Sequence, residues 1–108
     1  MTTFIEVGTI DQIGAQAATV VAIPHSKVAL FNVQGCIFAM DDACVRCGAS
    51  LSQGERSGRR VRCPGCGWQY DVVTGRINDI EALCTTVYEV NVEASKVMLE
   101  VPVAVTPP

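Results

Sequence analysis

Short apolar stretches broken by turn residues run the length of the chain, and their spacing predicts strands almost throughout. The pattern gives eight of them, at residues 4–7, 19–23, 27–33, 36–40, 60–63, 69–72, 86–92 and 97–101. Most are rich in Val and Ile, and in the segment 86–92 Thr86, Tyr88, Val90 and Val92 recur at every second position. Gln34-Gly35 and Ser57-Gly58 are hairpin signals, and Thr74-Gly75 turns the chain after Tyr70-Asp71-Val72-Val73. Residues 11–18 have room for a helical turn, which Gly14 keeps short. His25 follows Pro24 at a turn between strands and reads as an exposed turn residue. The fold expected from this pattern is all-β, an antiparallel β-sandwich or small barrel.

Composition narrows the function without naming it. The 108 residues fit one domain, 1–108. A domain of this size buries roughly 65% of the surface its unfolded chain exposes, so the core is small and a bound metal would add stability. No apolar run reaches the roughly 18 residues of a membrane-spanning helix. The start, Met1-Thr2-Thr3-Phe4-Ile5-Glu6, lacks the basic flank and apolar stretch of a secretory signal, so a cytoplasmic protein is expected. Eight basic against eleven acidic residues give a net charge of −3, which argues against a protein held on nucleic acid by general electrostatics. The tail, 102–108, holds three prolines and is expected to fray or lie extended.

Six cysteines in such a chain are well above ordinary usage, and without an export signal a disulfide framework does not account for them. Four fall in two clusters, Cys44-Val45-Arg46-Cys47-Gly48 and Cys63-Pro64-Gly65-Cys66-Gly67, with fifteen residues between Cys47 and Cys63. That is the spacing of a four-thiolate metal site. Two intervening residues let the chain turn back so that both sulfurs of a pair converge, and the following Gly accepts backbone angles that bring N–H groups near them. Gly48, Gly54, Pro64 and Gly65 make both stretches loops rather than the helix start that a thioredoxin-like redox pair requires. Cys36, between Gly35 and Ile37-Phe38-Ala39, and Cys84, after Ala82-Leu83, read instead as small apolar core residues.

The neighbours of these clusters add candidates. Six of the eight basic residues, Arg46, Arg56, Arg59, Arg60, Arg62 and Arg76, lie within residues 44–76, opposed there only by Glu55 and Asp71, for a local charge of +4 before any thiolate. The plain reading is solvated loop arginines. The functional reading makes Arg46, Arg56, Arg59, Arg60 and Arg62 a docking face for an acidic partner, or compensation for an anionic centre. Trp68 and Tyr70 follow Cys66 at alternating positions, so a strand puts both on one face, as core or, for the tyrosine, as a hydrogen-bond donor tuning a ligand sulfur. Asp41 and Asp42 shape the start of the first loop. There is no Ser–His–Asp set and no phosphate-binding Gly loop, and four cysteines in a closed site leave no open coordination position. An electron carrier or accessory component is expected, not an enzyme.

The stretch Ile37-Phe38-Ala39-Met40-Asp41-Asp42-Ala43-Cys44, with Gly48-Ala49-Ser50-Leu51-Ser52-Gln53-Gly54, resembles the first cluster loop of the Rieske-type ferredoxins. Cys63-Pro64-Gly65-Cys66-Gly67-Trp68-Gln69-Tyr70-Asp71-Val72-Val73-Thr74-Gly75 resembles the second, and it is the more specific of the two. The hairpin before the first loop and the Val87-Tyr88-Glu89-Val90 strand fit as well, so the resemblance covers roughly residues 3–101. It implies a Rieske-like antiparallel β-sandwich carrying a small rubredoxin- or zinc-ribbon-like metal-binding subdomain, with metal-binding loops at 41–54 and 63–75. It also implies a monomeric carrier that passes electrons from a flavin reductase to an oxygenase-type partner.

One departure from the family matters. A Rieske centre has two Cys on one iron and two His on the other, in a Cys-x-His and a Cys-x-x-His loop. Here the first histidine position is Arg46 and the second is Cys66, and the single histidine, His25, lies nineteen residues before Cys44. A Cys2His2 centre is therefore excluded. Two arrangements of Cys44, Cys47, Cys63 and Cys66 stay open. In one they hold a [2Fe–2S] cluster, with Cys44 and Cys63 on the inner iron and Cys47 and Cys66 on the outer. In the other they bind one tetrahedral ion, iron as in rubredoxin or zinc as in a ribbon. A cluster would mean a low potential, since all-Cys plant-type clusters lie near about −400 mV against about −150 to +300 mV with His ligands. A zinc site would mean a non-redox module acting in protein–protein interaction.

Overall fold

The computed structural model describes residues 2–14, 18–23 and 26–102. Its elements are layered round strand β3, Ser26–Val33, which runs between two apolar clusters. Val28 and Leu30 point into one cluster, and Ala29 and Phe31 into the other. Successive side chains of a strand face opposite ways, so burial on both sides explains the unbroken run Val28-Ala29-Leu30-Phe31.

Three antiparallel sheets result. The first orders β1 (Thr2–Thr9), β12 (Lys96–Pro102) and β11 (Val90–Glu93); the second orders β10 (Val87–Tyr88), β4 (Cys36–Asp41), β3 and β2 (Ala18–Ile23). Val97, Leu99 and Val101 of the first pack on Val28, Leu30, Ile37 and Ala39 of the second, with Ile13 of the short helix α1 (Ile10–Gly14) closing that cluster. The third sheet is a meander of β5 (Glu55–Ser57), β6 (Arg60–Arg62), β7 (Gln69–Asp71), β8 (Arg76–Ile77) and β9 (Ile80–Cys84). Its Val61, Tyr70 and Ile77, with Val72 from the turn after β7, pack on Ala29, Phe31 and Met40 and, in the same cluster, on Cys44 and Cys63.

The strands expected from the pattern are present, with one divided. Residues 86–92 form two strands that change sheets at Glu89: Tyr88 pairs with Ala39, whereas Val90 pairs with Leu99. Strands β5, β8 and β9 were not expected, being short and polar or flanked by charged residues. The helical turn starts at Ile10, and residues 15–17 of its expected span lie outside the described residues, as do His25 and the tail beyond Pro102. The core reading of Cys36 and Cys84 is corrected, because both are exposed. Cys36 opens β4 on the side opposite Ile37 and Ala39, and Cys84 ends β9, the last strand of its sheet. Among the described residues no helix is long and apolar enough to cross a membrane.

Candidate metal centre

Two loops meet at the end of the third sheet, one between β4 and β5 and one between β6 and β7, and they are built alike. In the first, the Cys44 N–H donates to the Ala49 carbonyl at 2.9 Å and the Gly48 N–H to the Cys44 carbonyl at 2.9 Å. In the second, the Cys63 N–H donates to the Trp68 carbonyl at 2.7 Å and the Gly67 N–H to the Cys63 carbonyl at 3.0 Å. The offsets are the same in both, and Gly48 and Gly67 take φ of 78° and 81°, a left-handed conformation that favours glycine. Each Cys-x-x-Cys pair thus turns back on itself and aims two sulfurs at a common point.

All four sulfurs arrive there. The Sγ atoms of Cys44, Cys47, Cys63 and Cys66 lie within 4.8 Å of one another. Cys44 and Cys66 are 3.7 Å apart and Cys47 and Cys63 are 3.4 Å apart. Cys44 and Cys63 are buried, Cys66 is half-buried and Cys47 is exposed, so the group has an inner and an outer side. Gly65 lies hard against the outer side, where a methyl group in its place would meet Cys47 Sγ at 2.8 Å and the Ala49 methyl at 3.0 Å.

The thiols do not ionise alike. Burial raises Cys44, but the Tyr70 hydroxyl and the backbone N–H groups of Cys47 and Arg46 outweigh it and bring the thiol down to about 6. At Cys47 the Ala49 N–H favours the thiolate, yet Cys63, burial and the other two cysteines push the group up to about 11. One thiolate forms readily and resists the next, and a cation at the centre removes that resistance. Donor type and charge therefore both fit a bound metal.

Tyr70 is wholly buried, and its hydroxyl donates to Cys44 Sγ at 3.2 Å while accepting the Val45 N–H at 3.1 Å. Burial and the bond to Cys44 hold its pKa far above the ordinary tyrosine value, so it stays a donor. Trp68 is half-buried against the same cluster and carries the Arg46 guanidinium 5.2 Å from its ring centroid. Asp42 ties the first loop shut: its carboxylate accepts the Ser50 hydroxyl at 2.6 Å and the Ser52 N–H at 3.0 Å, and its carbonyl accepts the Leu51 N–H at 2.7 Å. Asp41 accepts the Tyr88 hydroxyl at 2.5 Å, joining the start of the same loop to β10.

The arginines separate into two groups. Arg59 grips Asp71 with Nε 3.1 and 2.9 Å from the two carboxylate oxygens, Arg60 pairs with Asp79 at 2.7 Å, and Arg56 donates to the Asn32 carbonyl at 2.5 Å. Arg59 and Arg60 brace the third sheet, and Arg56 ties it to β3 of the second. Arg46 and Arg62 border the sulfurs instead. Arg62 lines an open cleft of about 520 Å³ together with Gln53, Glu55 and the segment from Cys63 to Gly67. Sequence reasoning missed the contact at Gly65, for which a Pro-Gly pair between ligands is the available signal. It also missed Asp79, which lies just beyond the stretch over which charge was counted.

The Rieske [2Fe–2S] domain model matches this chain over residues 3–96. The chain belongs to the Rieske family. It is 32% identical over 103 residues to the ferredoxin component of the naphthalene 1,2-dioxygenase/salicylate 5-hydroxylase systems of Ralstonia sp., covering 90% of this chain and 94% of that protein. It is 35% identical over 86 residues to the naphthalene 1,2-dioxygenase ferredoxin component of Pseudomonas aeruginosa, covering 74% and 78%. On these relationships it is a Rieske-type ferredoxin, an electron-transfer component rather than an enzyme. Among solved structures, the ferredoxin of Sphingomonas yanoikuyae B1 superposes with a TM-score of 0.81 at 22% identity, over 93% of this chain and all of that one. The ferredoxin fold seen in a complex of oxygenase and ferredoxin of carbazole 1,9a-dioxygenase matches with a TM-score of 0.79 at 24% identity, over 89% and 91%. The Rieske fold is therefore shared, while the histidines of a Rieske centre are not: four cysteines gather where that centre has two cysteines and two histidines.

Proposed function

We propose that this Rieske-type ferredoxin carries one electron at a time on an iron centre held by Cys44, Cys47, Cys63 and Cys66, taking it from a flavin reductase and delivering it to an oxygenase-type partner. The observation that carries this reading is the convergence of four sulfurs within 4.8 Å at one end of the molecule, with Cys47 exposed. Iron bound there supplies one-electron exchange between its ferrous and ferric states. The chain's own part is to keep that iron four-coordinate, so that oxygen or substrate finds no open position. The relatives, as ferredoxin components of dioxygenase systems, support an oxygenase-type partner. On this reading the protein works as a monomer in the cytoplasm, where its thiols stay reduced.

Optical redox titration at several pH values, followed by stopped-flow reduction with an NADH-dependent flavin reductase, tests it. A reversible one-electron bleach with a midpoint that stays level above neutral pH is expected, because no ligand imidazole is present to lose a proton. A colourless protein that accepts no electron removes the reading, and so does a midpoint that falls steeply above neutral pH.

A further inference from the structure

The four sulfurs could close on two irons or on one ion, and their arrangement distinguishes the cases. In a two-iron centre on this fold, Cys44 and Cys63 share the inner iron and Cys47 and Cys66 the outer, with two inorganic sulfides between. The sulfurs of different irons then stand further apart than those of the same iron, because the metal–metal separation lies between them. The sulfurs observed here are not spread in that way. The two close contacts, Cys44 to Cys66 at 3.7 Å and Cys47 to Cys63 at 3.4 Å, each join an inner sulfur to an outer one. No separation in the group exceeds 4.8 Å. A metal–sulfur bond of about 2.3 Å in a tetrahedron sets sulfurs about 3.8 Å apart, which is the scale seen here.

Two features of the chain itself account for this. An imidazole nitrogen stands one bond further from the backbone than a thiolate, so cysteines at the outer positions draw the ligands inward from where histidines would hold a second iron. Gly65 leaves room for the drawn-in sulfur of Cys47, since a methyl group in its place would meet that sulfur at 2.8 Å.

We infer that this Rieske fold holds a single tetrahedral ion, iron in the working protein, with no inorganic sulfide. The choice of iron rests on the proposed function, whereas the count of one ion rests on the geometry alone. The test is made on the full chain expressed with ample iron and purified without oxygen, and on apoprotein reconstituted with ferrous iron with and without added sulfide. Iron, zinc and acid-labile sulfide per chain are measured, together with electron paramagnetic resonance of the oxidised and reduced forms.

One iron per chain without sulfide is expected, with reconstitution by iron alone. The oxidised form then shows a high-spin ferric signal that disappears on reduction. Two irons and two sulfides, silent when oxidised and paramagnetic when reduced, overturn the single-ion inference while leaving electron transfer intact. One zinc that iron does not displace upholds the single ion and overturns electron transfer. Failure of the folded apoprotein to bind either metal overturns both.

Discussion

At the scale of single residues, Tyr70 and Gly65 show how the centre is shaped from outside its ligand set. The Tyr70 hydroxyl places the positive end of its dipole on Cys44 Sγ, stabilising negative charge there and hence the reduced centre. Tyr70→Phe removes that donor and leaves the Val45 N–H without its acceptor, at a cost of about 1 kcal/mol in stability. We expect a more negative midpoint potential by spectroelectrochemical titration; an unchanged potential with lowered stability would reduce Tyr70 to packing. Gly65 is not in the left-handed region, so Gly65→Ala acts through its new methyl group alone. Overpacking of about 1–3 kcal/mol should show as metal lost several-fold faster to a chelator, measured by absorbance. The convergence of the four cysteines was legible from spacing, because a metal site dictates residue type and interval together. The role of Tyr70 was legible only as one of two possibilities, since a buried aromatic and a sulfur-bonding hydroxyl look the same in sequence. Cys36 and Cys84 were misread for a similar reason: a thiol's burial depends on which side of its strand faces out.

Among the elements, the first loop depends on Asp42 and the third sheet on Asp71. Asp42→Ala removes the acceptor for both Ser50 and Ser52 and should cost about 1–3 kcal/mol in urea denaturation, with the metal held less firmly. Burial raises the Asp71 carboxyl, but Arg59 and the N–H groups of Val73 and Thr74 outweigh it and hold the group below its ordinary value. A depressed carboxyl stabilises the fold above its unfolded pKa of about 3.9 and loses that contribution as pH falls through the lower folded value. Asp71→Asn should accordingly lower the melting temperature at pH 7 and narrow its gap from wild type as acid is added. Strand existence was readable wherever apolar residues alternate or run together, as in β3. The short strands β8 and β9 escaped because the turn joining them, Asn78-Asp79, has no glycine, although both residues take the positive φ of a hairpin turn, 54° and 61°. The division at Glu89 left no mark, because alternation continues through the corner while the pairing partner changes.

For the molecule as a whole, the four cysteines and the arginines beside them gather at one end. Arg56, Arg59 and Arg60 are engaged internally, so a docking face proposed at this end would rest on Arg46 and Arg62, near exposed Val45 and the outer sulfur. Reversing both, Arg46→Glu with Arg62→Glu, should slow second-order transfer to an acidic partner by about tenfold or more at low salt, with little left of the salt dependence. An equal rate at all ionic strengths would dismiss the steering role. Trp68 is the chain's single tryptophan and packs against the cluster that contains Cys44 and Cys63. Its fluorescence should therefore rise and shift red when the metal is stripped, while far-ultraviolet circular dichroism keeps the strand signal of the other two sheets.

The third sheet also has a particular way of joining the rest. The chain leaves through β4 and returns through β10, and these strands lie side by side, with Met40 opposite Val87 and the Asp41 N–H bonded to the Thr86 carbonyl at 3.0 Å. All four converging cysteines lie between those two adjacent points, as a cartridge in a socket. Selection can exchange such a cartridge, imidazoles for thiolates, in one contiguous stretch of coding sequence while the socket stays as it was. A lineage can thereby alter the electronic character of its carrier without re-evolving a protein to hold it.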